Sequence, residues 1–109
     1  MLIEKSLSVN DVACFKLSNG DEIIARITDI NEKMVSVSKP MLMVLSQNPR
    51  TGEPGIQMAP FWIMGGDPES KYPIVRDHVV CMVKANSEAL KGYTAHTSSL
   101  AIPGSGLIV

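Results

Sequence analysis

The sequence predicts a mostly-β fold: a small, strongly bent, five-stranded antiparallel barrel, with a short helix at the N terminus and a helical segment or tail at the C terminus. Three features predict it. Apolar residues recur at every second position in several short runs, which is the period of a half-buried strand. Asn19-Gly20 lies between the first two runs. It is the strongest short hairpin signal, because both residues tolerate the positive φ of a tight primed turn. Finally, short runs follow one another with tight turns between the first three, the pattern of a small sheet that curls and closes on itself.

In chain order, Ile3 and Leu7 have helical spacing and mark the N-terminal helix. Ala13, Phe15 and Leu17 alternate with Cys14 and Lys16 and make the first strand. The second runs over Glu22–Ile30, with Ile23, Ala25 and Ile27 on one face and Ile24, Arg26 and Thr28 on the other. Asn31-Glu32-Lys33 is a tight turn. The third strand starts at Met34, where Val35 and Val37 alternate with Ser36 and Ser38. Pro40 interrupts it, since proline cannot donate to a ladder and marks a bend or an edge. Pairing resumes over Met41–Leu45, a run apolar on both faces, as expected where one face meets the core and the other a partner.

Asn48–Gly55 is a loop by composition, Ile56–Met64 a fourth strand bent at Pro60, and Gly65–Ser70 a second loop. Val79–Val83 reads as a buried fifth strand. Ser87–Lys91 forms a helical turn, capped by Asn86 or Ser87 and stopped at Gly92. One domain therefore covers residues 1–93, and residues 94–109 form a tail or arm. The expected core is Phe15, Leu17, Ile23, Ala25, Ile27, Val37 and Val80.

A length of 109 residues fits one domain, and 45% apolar with 19% charged residues is the composition of a globular chain. Seven Met against 5% aromatics point to an adaptable aliphatic core. Cys14 and Cys81 read as small buried hydrophobes in a reducing cytoplasm. No signal peptide is visible, and Met41–Leu45 falls far short of the roughly 20 residues that span a bilayer, so the chain is expected to be cytoplasmic. A chain this small buries a modest fraction of its surface, and self-association is the expected supplement. A net charge of −1 does not announce nucleic acid. Any RNA site needs positive potential that is local or repeated around an oligomer.

From Val12 to Val37 the chain resembles the first sequence motif of the Sm-like family. The motif's Leu, turn Gly and long apolar strand correspond to Leu17, Gly20, Ile23 or Ile24, Ala25, Ile27, Ile30 and Asn31, followed by Met34. Ala25 stands where the motif has a second Gly. Val75-Arg76-Asp77-His78-Val79-Val80 is similar to the second motif, with Asp77 where Gly is usual and residues 65–74 inserted ahead of it. In length and in its Gly-Tyr-containing C-terminal segment the chain also resembles Sm-like proteins of cyanophage-type genomes.

The resemblance implies a bent barrel whose fourth strand pairs with the fifth strand of the next subunit, closing a homo-oligomeric ring of roughly five to seven subunits. It also implies single-stranded RNA as the ligand, held by Asn31, Lys33 and Arg76, with His78 beside them. Lys33 lies where the family stacks a base and Val35 where it has Asn, so base reading is reduced and phosphate contact remains. The bland alternatives are that Asn31 and Lys33 are plain turn residues, that Arg76-Asp77-His78 is a surface turn, and that Phe61 and Trp62 are core or interface. No metal, cofactor or catalysis is expected. His78, His96, Cys14 and Cys81 lack ligand spacing, and Gly104-Ser105-Gly106 lacks the context of a nucleophile elbow. Two readings stand: an RNA-binding ring, and a protein-assembly module without nucleic acid.

Overall fold

The computed structural model describes residues 7–61, 66, 67 and 69–101. Among these residues six strands form one antiparallel sheet, followed by one helix. The strands are β1 (Val12–Leu17), β2 (Glu22–Ile30), β3 (Met34–Gln47), β4 (Pro54–Pro60), β5 (Lys71–Val75) and β6 (Val79–Lys84), and the helix is α1 (Ser87–Ala101). The order is β4-β3-β2-β1-β6, with β5 also on β3. Among the described residues no ladder joins β6 to β4 or β5, so the sheet is not closed by pairing. A 3-10 turn, Arg76–His78, links β5 directly to β6 and so connects the two ends of the sheet through the chain itself.

The first hairpin forms where its sequence predicts, but not through the expected primed turn: of Asn19 and Gly20 only Gly20 takes a positive φ, and Lys16 pairs with Glu22, one residue off the register that a two-residue turn sets. Gly20 takes φ 96°, its N–H donates to the Leu17 carbonyl at 2.9 Å, and Val12–Lys16 pair with Glu22–Arg26. Side chains then alternate between two clusters, one on each face. Ala13, Phe15, Ile23, Ala25, Ile27, Val35, Val37, Val79 and Met82 form the larger, with Leu17, Ile30, Tyr72 and Ile74 packed against it. Val12, Ile24, Met41 and Tyr93 form the smaller, beneath α1, with Met43, Met58 and Ala89 around them. Burying both faces accounts for apolar residues on both faces of β2.

Pro40 marks a bend rather than an end. Ile24 faces Met41 while Arg26 faces Ser38, so Lys39 and Pro40 bulge opposite Ala25, and Lys39 takes φ 49°. Below the bulge Met34–Ser38 pair with β5, and above it Met41–Gln47 pair with β4, along the same edge. A small residue at position 25 lets this bend form against a fully buried backbone.

Several expectations change. There are six strands rather than five, because Lys71–Val75 is a strand in spite of Pro73, which an edge position tolerates. The fourth strand is Pro54–Pro60 rather than Ile56–Met64. Val80 is 61% exposed instead of buried, because the β1–β6 register slips there and Val79 takes the inward place. The same edge strand leaves Cys81 exposed. Leu17 is half-buried. Gly92 does not stop the helix, which continues through part of the expected tail to Ala101. Asn86 does cap it, accepting from the Ala89 N–H at 2.8 Å. Residues 7–10 hold a turn rather than a helix, and the remainder of the expected N-terminal helix, like Trp62–Met64 and residues 102–109, lies outside the described residues.

Candidate nucleic-acid interface

Asn31, Lys33 and Arg76 meet at one end of the sheet. Asn31 Oδ1 accepts from the Lys33 N–H at 2.8 Å and the Met34 N–H at 2.9 Å, which closes the β2–β3 turn as an Asx turn. The Arg76 N–H donates to the Lys33 carbonyl at 2.9 Å. The Arg76 guanidinium reaches across a separation of 45 residues and donates through Nη1 to the Asn31 carbonyl. Arg76 directly follows β5, and β5 pairs with the first half of β3, so the residues inserted ahead of it do not displace it from the turn.

The three side chains are not equally available. Asn31 has spent its side-chain oxygen on the turn, and its amide N–H groups make no hydrogen bond among the described residues. Arg76 is half-buried and acts as a clamp between two segments, and its other guanidinium donors make no hydrogen bond among the described residues. Lys33 is exposed, and among the described residues its ammonium makes no hydrogen bond or ion pair. Lys33 is therefore the freest cation at this end. Val35 is fully buried in the larger cluster and offers a base nothing.

His78 does not join that group by hydrogen bonding. It is exposed, its Nδ1 lies 3.1 Å from Ser18 Oγ, and its carbonyl accepts from the Ser18 N–H at 2.8 Å. The 3-10 turn is thus tied at one end to the β2–β3 turn and at the other to the β1–β2 turn. Ser18 is the partner that sequence reasoning missed, and a serine beside a hairpin glycine carries no signal of it.

Elsewhere the chemistry is sparse. Among the described residues no three His, Cys, Asp or Glu side chains cluster as metal ligands. Burial, and secondarily the charge of Glu22, pushes the Cys14 thiol up from its usual range, which makes it a poor nucleophile. Among the described residues no helix is long and apolar enough to cross a membrane. Phe61 is half-buried against the larger cluster.

Two other surfaces stand out as apolar. On the β3–β4 hairpin Val44, Leu45 and Ile56 are 44%, 77% and 63% exposed. On β6, Val80 and Val83 are 61% and 48% exposed. Both β4 and β6 are edges with one ladder each among the described residues. No family model and no curated protein matches this chain.

Proposed function

We propose that this chain is the subunit of an Sm-like homo-oligomeric ring that binds single-stranded RNA with low sequence specificity and serves RNA metabolism in the cytoplasm without catalysing a reaction. The observation that carries the reading is the convergence of Asn31, Lys33 and Arg76, named from a sequence resemblance and joined by hydrogen bonds across 45 residues. The strand order, and a 3-10 turn that carries the chain from β5 to β6, support a barrel closed through that turn. Two exposed apolar edges of similar length, seven residues in β4 and six in β6, support head-to-tail pairing between subunits. Low specificity follows from the buried Val35 and the occupied Asn31 oxygen, which leave phosphate contact as the main source of affinity.

The test is a titration of labelled oligo-U and oligo-A at low and moderate salt. Binding should be similar for the two sequences and should fall steeply with salt. Lys33→Ala should weaken both equally and lower the salt slope by about one per contacting subunit. Arg76→Lys should keep the charge but lose the clamp, weakening binding further. Equal binding by wild type and Lys33→Ala removes this end of the molecule from the site.

A second reading, a ring that assembles with protein and ignores RNA, is favoured by the exposed apolar edges. An intact wild-type ring with no affinity for either oligonucleotide selects it.

A further inference from the structure

We propose that Tyr93 is a positioning residue for the Lys33–Arg76 site, acting through the bulge in β3; this rests on the RNA-binding reading above. One edge of β3 carries two strands in succession, β5 along Met34–Ser38 and β4 along Met41–Gln47. Only Lys39 and Pro40 lie between these ladders, and Lys39 sits at φ 49°. A non-glycine residue keeps that conformation only where its surroundings hold it.

Three contacts do so. Tyr93 reaches from α1 over the sheet, its ring 2% exposed among Val12, Ile24 and Met41, and its hydroxyl donates to the Ser38 carbonyl at 3.0 Å. The Phe61 N–H donates to the Pro40 carbonyl at 2.9 Å. Lys39 Nζ lies 3.9 Å from Glu69, whose side chain is 68% exposed. The exposed ion pair contributes little. Among the described residues, Tyr93 supplies the one side-chain hydrogen bond to the peptide that leads into the bulge, and it comes from a buried residue, where water competes less.

From Ser38 the path to the site is short. Ser38 pairs with Lys71 at one end of the β3–β5 ladder, and Met34 pairs with Val75 at the other. The residues just beyond that end of the two strands are Lys33 and Arg76, already joined by a hydrogen bond of 2.9 Å. The angle at the bulge sets the direction of β5 against β2. The Arg76 guanidinium bridges the end of β5 to the end of β2, so it is the first contact that a change in this angle breaks.

Tyr93→Phe removes the hydroxyl and keeps the ring. Hydrogen exchange of the full chain should accelerate about fivefold in residues 34–38 and 71–78, the factor expected when one ordinary hydrogen bond is lost from an opening equilibrium. β1 and β6 should exchange at the wild-type rate, and oligo-U affinity should fall by up to about fivefold. Met43→Ala is the control: it loosens packing under α1 without touching the Ser38 carbonyl, and should leave residues 71–78 unchanged. Four results overturn the proposal: even acceleration in all strands, acceleration confined to α1, no acceleration, or the same change at residues 71–78 in Met43→Ala. If wild type binds no oligo-U, the RNA reading fails, while the exchange pattern still decides whether Tyr93 holds the β5 end.

Discussion

The two halves of β3 differ in pattern and in surroundings. Below the bulge, Val35 and Val37 are fully buried, enclosed by β2 on one side and β5 on the other. Above it, Val44 and Leu45 lie beyond the reach of β2, whose pairing ends at Glu22 opposite Met43, and only β4 flanks them. Leu45 is 77% exposed. An apolar run in one strand has thus been divided between building a core and presenting a surface. A two-stranded ribbon is marginal alone in water, so the upper half is the part of the sheet with most to gain from a partner.

The sharpest way to break this comparison is to place the same charge on each half. Val37→Asp puts a carboxylate among apolar side chains with no cation to pair it, and the chain should fail to fold, seen as loss of the β-sheet circular dichroism signal. A soluble, cooperatively unfolding Val37→Asp protein would mean that the larger cluster is not the core. Leu45→Asp should fold normally, with wild-type circular dichroism, and should run as a monomer in light scattering if the wild type forms the proposed ring. If Leu45→Asp leaves the ring mass unchanged, the upper half of β3 is not part of the subunit interface.

The lower half was largely legible in the sequence, and the upper half was not. Val35 and Val37 alternate with serines, a local signal that says which side is wet, and Asn19-Gly20 marks where the preceding hairpin turns, though not its register. Met41–Leu45 is apolar throughout, so no pattern within it distinguishes core from interface. β5 carries Pro73, which argues against a strand unless the strand lies at an edge, and only tertiary structure reveals that edge. Val80 was misassigned because a bulge reverses alternation from one residue to the next, and bulges leave little trace in sequence. At the candidate site, the resemblance named Asn31, Lys33 and Arg76. It did not reveal that Asn31 and Arg76 spend hydrogen-bonding capacity on the backbone, which distinguishes the free cation Lys33 from its neighbours.

A smaller effect is expected from the two cysteines. Cys81 lies exposed on β6, while Cys14 is half-buried on β1 with its thiol pushed up, first by burial and then by Glu22. Alkylation followed by mass spectrometry should modify Cys81 first in the dissociated chain at neutral pH. If β6 pairs with a neighbour in the proposed ring, Cys81 should be protected there. Equal rates for Cys81 in ring and monomer would indicate that β6 is not the strand that pairs.

The smallest effect tests where cover of the upper half begins. Met43 and Met58 face each other across β3 and β4 and are half-buried, whereas Leu45 and Ile56, the next pair on the same face, are exposed. The difference lies in α1, which packs closely on Met58 through Gly92, while Leu45 and Ile56 only border the open groove beside the helix. Gly92 allows that close passage: a Cβ there would stand 3.3 Å from Met58 Cε. Glycine inside a helix costs about 1 kcal/mol relative to alanine. Against that gain, Gly92→Ala must shift the far end of a flexible methionine by a few tenths of an ångström, at little cost. Gly92→Ala should therefore stabilise the chain, by less than about 1 kcal/mol in urea titration. Gly92→Leu cannot be met by moving Met58 alone and should lift α1, exposing Met43 and Met58 to oxidation by dilute peroxide. If Gly92→Leu leaves both methionines protected, α1 does not define the boundary between the covered and the exposed part of β3.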